Sequence, residues 1–151
     1  MNEPLSKIFA YVFPLSKELI DRILYDNKRT LTKFLHRQRM GSRFHSGMKI
    51  LFYETGGPKQ ILAEANVLDA TMMLYDNVHK IYGESVILTK QELLKYVDRY
   101  PGRINKPLLI LTIDTPNSFL LPIKWEKPMT MIGRILSSDE YKRLVKISKQ
   151  K

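Results

Sequence analysis

The sequence contains no cysteine. Without thiols the chain can form no disulfide, no thiolate nucleophile and no cysteine-based zinc site. The three histidines, His36, His45 and His79, are scattered and share no helix face with a carboxylate at ligand spacing, so we expect no metal site and no cofactor. A chain without cysteine is typical of a reducing compartment, and we expect a cytoplasmic protein.

The sequence also lacks long apolar runs and a phosphate-binding glycine motif. Its longest apolar runs, such as residues 108–112, are far shorter than the roughly 20 residues that span a bilayer. The N-terminal residues include an early acid and two prolines, which do not fit the pattern of an export signal. Gly56-Gly57 is not followed by Lys-Ser or Lys-Thr, as a P-loop requires. We therefore expect neither membrane association nor P-loop nucleotide hydrolysis.

The composition is that of a globular domain. Of the 151 residues, 44% are hydrophobic and 26% are charged. A chain of this length buries roughly two-thirds of its unfolded surface around a single core. The sequence shows neither an internal repeat nor a low-complexity linker, so it predicts one domain over residues 1–151.

One stretch of the chain is strongly basic. Lysine and arginine number 25 against 15 acids, and no acid occurs between Asp26 and Glu54. This interval carries seven of the basic residues, a density that differs from the alternating charge of an ordinary solvated surface. Aromatic and imidazole rings are interspersed among the cations, as expected for contacts with both bases and phosphates. The seven are Lys28, Arg29, Lys33, Arg37, Arg39, Arg43 and Lys49.

Hydrophobic periodicity and turn residues predict strands with helices between them. Strands are predicted over residues 7–13, 30–34, 48–53, 60–67, 108–113, 118–124 and 130–136, the first ended by Pro14. Helical spacing predicts helices over residues 17–25, capped by Ser16, and 71–82. Capping boxes at Thr89 and Ser137 predict two more helix starts, and residues 36–47 are predicted to form a basic loop. Mostly contiguous strands with short turns favour an α+β fold, a mixed β-barrel with short helices packed around it.

Several ordered segments resemble a known superfamily. ILYDNKRTLTKF, MKILFYETGGPKQILAEANV and LLILTI together resemble the PUA-like superfamily, especially its ASCH and EVE branches. YGESVILTKQELLKYV and PIKWEKPMTMIGRILSSDEYKRL are similar to an archaeal family of uncharacterised PUA-like proteins. The resemblance implies a single PUA-like, ASCH-like domain over residues 1–151. Such a domain is a small pseudo-barrel that in related groups binds RNA or a modified base.

The resemblance also bears on catalysis. ASCH domains commonly carry a Gly-basic-Lys-Thr-x-Thr segment after the first helix, and residues 27–32, NKRTLT, occupy that place with Arg29 instead of the Lys. Some small ASCH proteins resemble amidohydrolases that act on acetylated cytidine with this Lys, the second Thr and a carboxylate. Because an arginine stays protonated, Arg29 cannot replace the lysine as a base. The substitution favours binding over catalysis, and an amidohydrolase would have to use Lys28, Thr32 and Glu64.

These observations lead to three functional hypotheses. The favoured one is an RNA-binding module that recognises structured or modified RNA, with tRNA and rRNA both open, through the seven basic residues beside a barrel cleft. A base pocket would be formed by Thr30, Tyr53 and Trp125, since a base can stack on an aromatic ring. The alternatives are an amidohydrolase on acetylated or modified nucleosides and a scaffold that binds an acidic protein. The sequence leaves the oligomeric state open.

Overall fold

The computed structural model describes residues 6–99, 102–125 and 127–149, and within them it has seven strands and four α-helices. The strands are β1 Ala10–Ser16, β2 Thr30–Lys33, β3 Lys49–Thr55, β4 Gln60–Met73, β5 Leu108–Ile113, β6 Asn117–Lys124 and β7 Arg134–Leu136. The helices are α1 Lys17–Tyr25, α2 Tyr75–Tyr82, α3 Lys90–Asp98 and α4 Ser138–Lys149. The α+β class is confirmed. None of the described helices is long and apolar enough to cross a membrane.

The strands form one mixed sheet. Its order is β2-β5-β4-β3-β1-β7, with β6 paired to β4 beside that path. The β1 and β3 strands are parallel, and the other ladders are antiparallel. The long β4 strand pairs with β3 and β6 in its first half and with β5 from Val67 onward, with a register shift between Val67 and Asp69. Such a shift bends a strand, so β4 turns the sheet and leaves β2 and β7 as its two ends.

Successive side chains along the strands alternate between two of the three hydrophobic core clusters. On β1, Tyr11 and Phe13 belong to the main cluster, which also receives residues of β2 to β5, whereas Ala10 and Val12 belong to a second cluster under α4. A third cluster joins α2 and α3 to β5. Since side chains of successive strand residues point to opposite faces, both faces of the central strands are buried.

Helix starts agree with the predictions from capping residues. Ser16 Oγ accepts a hydrogen bond from the Leu19 N–H at 3.3 Å, and α1 covers the predicted residues. At Thr89 both reciprocal bonds of the capping box with Glu92 are present. Ser137 and Glu140 make the same pair of bonds before α4. These local sequence signals suffice because each bond joins residues only three apart.

Several predicted boundaries are wrong. The first strand begins at Ala10 rather than at residue 7, β4 continues past Val67, and the last strand begins at Arg134 rather than at residue 130. The helix predicted over residues 71–82 begins only at Tyr75, because Thr71 to Met73 pair with β5 as the end of β4. The first strand does not end at Pro14 but continues to Ser16. Since β7 pairs only with residues 10–12, the missing N–H of Pro14 lies beyond that ladder and leaves it intact. The predicted basic loop contains a 3₁₀ helix, Gln38–Arg43.

Candidate functional site

A cleft of about 1200 Å³ lies where the two ends of the sheet are not joined by backbone pairing. Its walls include Leu31 to Lys33 of β2 and Arg134 and Ile135 of β7, which are the end strands of the sheet order. The cleft therefore occupies the gap between the two ends of the sheet. Further walls come from β1, from α3 and from the segments that follow β2 and precede β7.

The cleft interior is rich in aromatic rings. The rings of Tyr11 and Phe13 lie 5.9 Å apart edge to face, and the Tyr11 and Phe44 rings lie 5.2 Å apart. On the other side, Phe34 and Tyr96 line the wall under α3. Burial raises the pKa of Tyr96, whose hydroxyl accepts a 2.8 Å hydrogen bond from the Phe34 N–H. Aromatic side chains can pack against a planar ligand.

Lys33 is a buried cation in this cleft. The residue is only 8% exposed, and its Nζ lies 4.9 Å from the centroid of the Phe13 ring. Nζ donates a 2.7 Å hydrogen bond to the Met131 carbonyl, which links β2 to the segment before β7. No carboxylate of the described residues forms an ion pair with it. Burial, and then the positive charge of Arg103, lower the pKa of Lys33 to about 8.

Thr32 presents a second unusual polar group. Successive strand residues point to opposite faces, yet both Thr32 and Lys33 line the cleft because β2 is an end strand and the cleft extends around it. Thr32 is 8% exposed, and its Oγ1 is buried without a hydrogen-bond partner in the described part of the chain. Buried hydroxyls are nearly always hydrogen-bonded, so an unpaired one in a cleft points to a ligand.

Positive charge prevails among the residues that line the cleft. Within the described ranges these include six lysines and arginines against two carboxylates, Glu92 and Asp98. Glu92 is already paired with Arg22, which holds the pKa of that carboxyl at about 2. The cleft therefore attracts anions. The cations are Lys33, Arg37, Lys95, Arg99, Arg103 and Arg134.

Arg103 is held against the aromatic wall. Its guanidinium carbon lies 4.4 Å from the centroid of the Phe34 ring and 5.3 Å from that of Tyr96. Its Nη1 donates to the Tyr96 carbonyl at 3.4 Å. Guanidinium stacking of this type keeps a cation at a fixed place beside the aromatic wall.

The segment before β7 covers one side of the cleft. The Tyr11 hydroxyl donates to the Ile132 carbonyl, and the Gly133 N–H donates to the Thr130 carbonyl at 3.0 Å. The side chains of Met131 and Ile132 are exposed, so the segment turns its carbonyls inward and its apolar side chains to solvent. Burial raises the pKa of Tyr11.

Two of the seven predicted RNA-binding cations, Lys33 and Arg37, line the cleft. Arg39 is exposed on the 3₁₀ helix outside the lining. The other four lie outside the cleft lining and donate hydrogen bonds to protein oxygens, so the structure does not bring the seven together. Lys28 donates to the Glu84 carbonyl (2.5 Å), Arg29 to that of Ile23 (2.6 Å), Arg43 to that of Ser6 (2.9 Å) and Lys49 to the Asn66 side chain (2.5 Å).

The structure does not assemble the predicted base pocket at the cleft. Thr30 is fully buried, and its Oγ1 lies 2.9 Å from Ser85 Oγ. Tyr53 and Trp125 belong to the cluster under α4, on the opposite face of the central strands from the main cluster. None of these three residues lines the cleft.

The catalytic candidates are also separated. Of Lys28, Thr32 and Glu64, only Thr32 lines the cleft. Glu64 accepts a 2.6 Å hydrogen bond from the Tyr141 hydroxyl, which anchors α4 to β4. Among the described residues no group of three or more histidines and carboxylates is placed to hold a metal ion.

Several cleft residues were missed from the sequence. Lys95 and Arg99 occupy positions four apart at the end of α3, a spacing that places both on one helix face and was available as a signal. Arg103 and Arg134 had no such signal. They reach the cleft only because the chain returns to it after α3 and again before β7.

A model of the family described as a domain of unknown function, DUF365, matches residues 8–138. The chain belongs to this family. Among curated proteins, none matches the chain in sequence. The match covers every strand and the whole cleft wall from Tyr11 to Ile135.

Solved structures show the fold. ASCH from Zymomonas mobilis is 14% identical, with 92% of this chain and 95% of that chain covered, at a TM-score of 0.74. The N-terminal domain of Staphylothermus marinus McrB is 12% identical, with 95% and 97% covered, at 0.57. A hypothetical protein from Leishmania major is 14% identical, with 95% and 96% covered, at 0.54. The predicted PUA-like fold of the ASCH type is confirmed, whereas the closer similarity to an archaeal family stays a prediction.

Proposed function

We propose that this protein is an RNA-binding module that takes one unpaired nucleotide into the cleft between β2 and β7. The base would lie among the aromatic side chains, and phosphates would contact the cations at the cleft mouth. The observation that carries the proposal is the combination of an aromatic interior with an excess of lysine and arginine around it. Sequence-specific proteins read RNA mainly in single-stranded regions, where bases can be stacked on such rings.

The dimensions of the cleft support this proposal. About 1200 Å³ exceeds the usual range of pockets for small ligands, so the space suits a nucleotide together with part of its neighbours. Arg37 lies at the cleft, and Arg39 is exposed two residues farther along. They offer a path along which the chain of phosphates could continue outside the cleft. Structured RNA such as tRNA or rRNA presents unpaired nucleotides of this kind in its loops.

The test compares two double variants with equal loss of charge. Arg37→Ala with Lys95→Ala removes two exposed cations of the cleft wall. Lys142→Ala with Lys146→Ala removes two exposed cations from α4, which packs on the opposite side of the central strands. We expect the cleft variant to bind single-stranded RNA at least about tenfold more weakly, with a salt slope lower by roughly 1.4, because each phosphate contact on a single strand contributes about 0.7.

Fluorescence anisotropy of labelled RNA across a salt series measures both quantities. The α4 variant should keep the slope and affinity of the unmodified protein. Equal losses in the two variants would mean that net charge alone attracts RNA, and the cleft would then have no special part. Absence of RNA binding at low salt would reject the proposal.

One observation favours a second candidate, an amidohydrolase of acylated nucleosides. Thr32 with its unpaired hydroxyl and Lys33 with its lowered pKa line the same cleft, and they are the residue types that the ASCH resemblance implies for this activity. A lysine that acts as a base must be neutral, so the rate should rise with pH up to about 8. Chromatography of acetylated cytidine incubated with the protein, and with Lys33→Met and Thr32→Val, tests it. A flat time course with the unmodified protein excludes this candidate.

A further inference from the structure

Hydrogen-bond donors and acceptors are unequally used inside the cleft. Lys33 Nζ has three N–H donors, and within the described part of the chain only one is used, by the Met131 carbonyl. The Thr32 hydroxyl has no partner there. Lys33 therefore keeps two N–H donors that the described residues do not use, and the Thr32 hydroxyl is an unpaired group that can donate or accept.

Two carbonyls of the segment before β7, in contrast, already accept hydrogen bonds. The Met131 carbonyl receives Lys33, and the Ile132 carbonyl receives the Tyr11 hydroxyl. At the mouth, Glu92 receives both the Arg22 guanidinium and the Thr89 N–H. A ligand that brought an amino group to Lys33 would place its own N–H donors against the N–H donors of Nζ, and no hydrogen bond would form between them. A ligand that brought an oxygen would satisfy the free donors of an otherwise desolvated cation.

We propose that Lys33, assisted by Thr32, makes the cleft select bases that present a ring carbonyl, such as hypoxanthine, guanine or uracil, over bases that present only an amino group there, such as adenine. This inference rests on the proposed binding of one nucleotide in the cleft. It makes Lys33 a residue that determines specificity, while the cations of the mouth provide attraction without regard to the base.

The matched ligands are a short oligoadenosine and the same oligomer with one inosine. Inosine and adenosine have the same ring size, the same sugar and the same phosphate. They differ only on the six-membered ring, where inosine has a carbonyl and an N1–H and adenosine has an amino group and an unprotonated N1. We expect the inosine oligomer to bind at least about tenfold more tightly, since a hydrogen bond to a charged donor is worth roughly 1.5–3 kcal/mol.

Variants separate selection from attraction. Lys33→Met should bring the two oligomers to within about twofold of each other, and Thr32→Val should reduce the preference by a smaller factor. Lys33→Arg keeps the charge and the donors, and it should retain a preference for inosine. The Arg37→Ala, Lys95→Ala variant should bind both oligomers more weakly by the same factor, so that the ratio of the two affinities stays unchanged.

The possible outcomes have different meanings. Equal binding of the two oligomers by the unmodified protein, with the salt dependence intact, overturns the selection by Lys33 but keeps the RNA-binding proposal. Tighter binding of oligoadenosine likewise overturns it. Failure of both oligomers and of longer RNA to bind overturns the proposed function itself. A preference for inosine that persists in Lys33→Met would assign the selection to another group.

Discussion

Replacing Lys33 with Met is expected to raise the free energy of unfolding by about 2 kcal/mol at pH 7. A lysine pKa lowered from 10.5 to about 8 corresponds to about 3 kcal/mol of destabilisation when the lysine is charged in both states. The substitution also removes the hydrogen bond to the Met131 carbonyl, worth about 1 kcal/mol. Methionine has a similar length and fills the same apolar space between the Tyr11 and Phe13 rings.

The stability gained by Lys33→Met should decrease as the pH rises. Between pH 8 and pH 10.5 the unfolded chain binds the Lys33 proton more often than the folded chain does, so the unmodified protein becomes more stable as pH rises through this window. The methionine variant lacks this dependence. The advantage of Lys33→Met should therefore be complete below pH 8 and be lost by about pH 10.5.

Denaturation by urea at pH 7 and at pH 10 measures the difference between the two proteins, and groups common to both cancel. Lys142→Met, on the exposed face of α4, serves as the control and should change stability by less than about 0.5 kcal/mol at either pH. A loss of stability in Lys33→Met at pH 7 would show instead that the link between β2 and the Met131 carbonyl outweighs the burial of charge.

The second large effect is expected at Gly133. This residue has φ of +85°, and a Cβ atom there would meet the Tyr11 hydroxyl and lie 2.5 Å from the backbone oxygen of Val12. The left-handed conformation costs an alanine roughly 1–2 kcal/mol, and the contact with rigid backbone adds about 1–3 kcal/mol. We expect Gly133→Ala to lower the free energy of unfolding by about 3 kcal/mol.

Gly47 provides the matched control. Its φ is +97°, but nothing lies within 4 Å of the position that a Cβ would occupy. Gly47→Ala should therefore show the conformational cost alone, about 1 kcal/mol. Thermal or urea unfolding of the two variants gives the difference, which measures the close packing of Gly133 on β1. Equal losses would mean that the segment before β7 moves aside without penalty.

Local signals in the sequence predicted much of the architecture. Ser16, Thr89 and Ser137 cap helices through bonds to residues three positions ahead, so no distant part of the chain needs to be known. The apolar run of β5 is likewise visible without tertiary information. Residues 71–73 show the limit, since their helical spacing gave way to pairing with β5, about forty residues later in the chain.

The candidate site was predicted less well. A basic stretch in the sequence does not show which cations face a cleft, and four of its seven members lie outside the cleft lining and donate to protein oxygens there. The sequence predicts Lys33 and Arg37 as RNA-binding residues, but it gives them no more weight than the other five cations. Nothing in the sequence distinguishes Lys33 from the others, because its burial depends on β1 and on the segment before β7.

The sequence by itself determined the composition of a cysteine-free, basic, α+β domain, its helix starts and most of its strands, because these depend on residues close together in the chain. Only the tertiary structure decided that β2 and β7 lie at the ends of the sheet and that a cleft separates them. It also decided that one lysine of the basic stretch is buried there beside aromatic rings while others remain at the surface. The physical reason is that burial and loss of solvation arise from segments far apart in sequence, which no local pattern records.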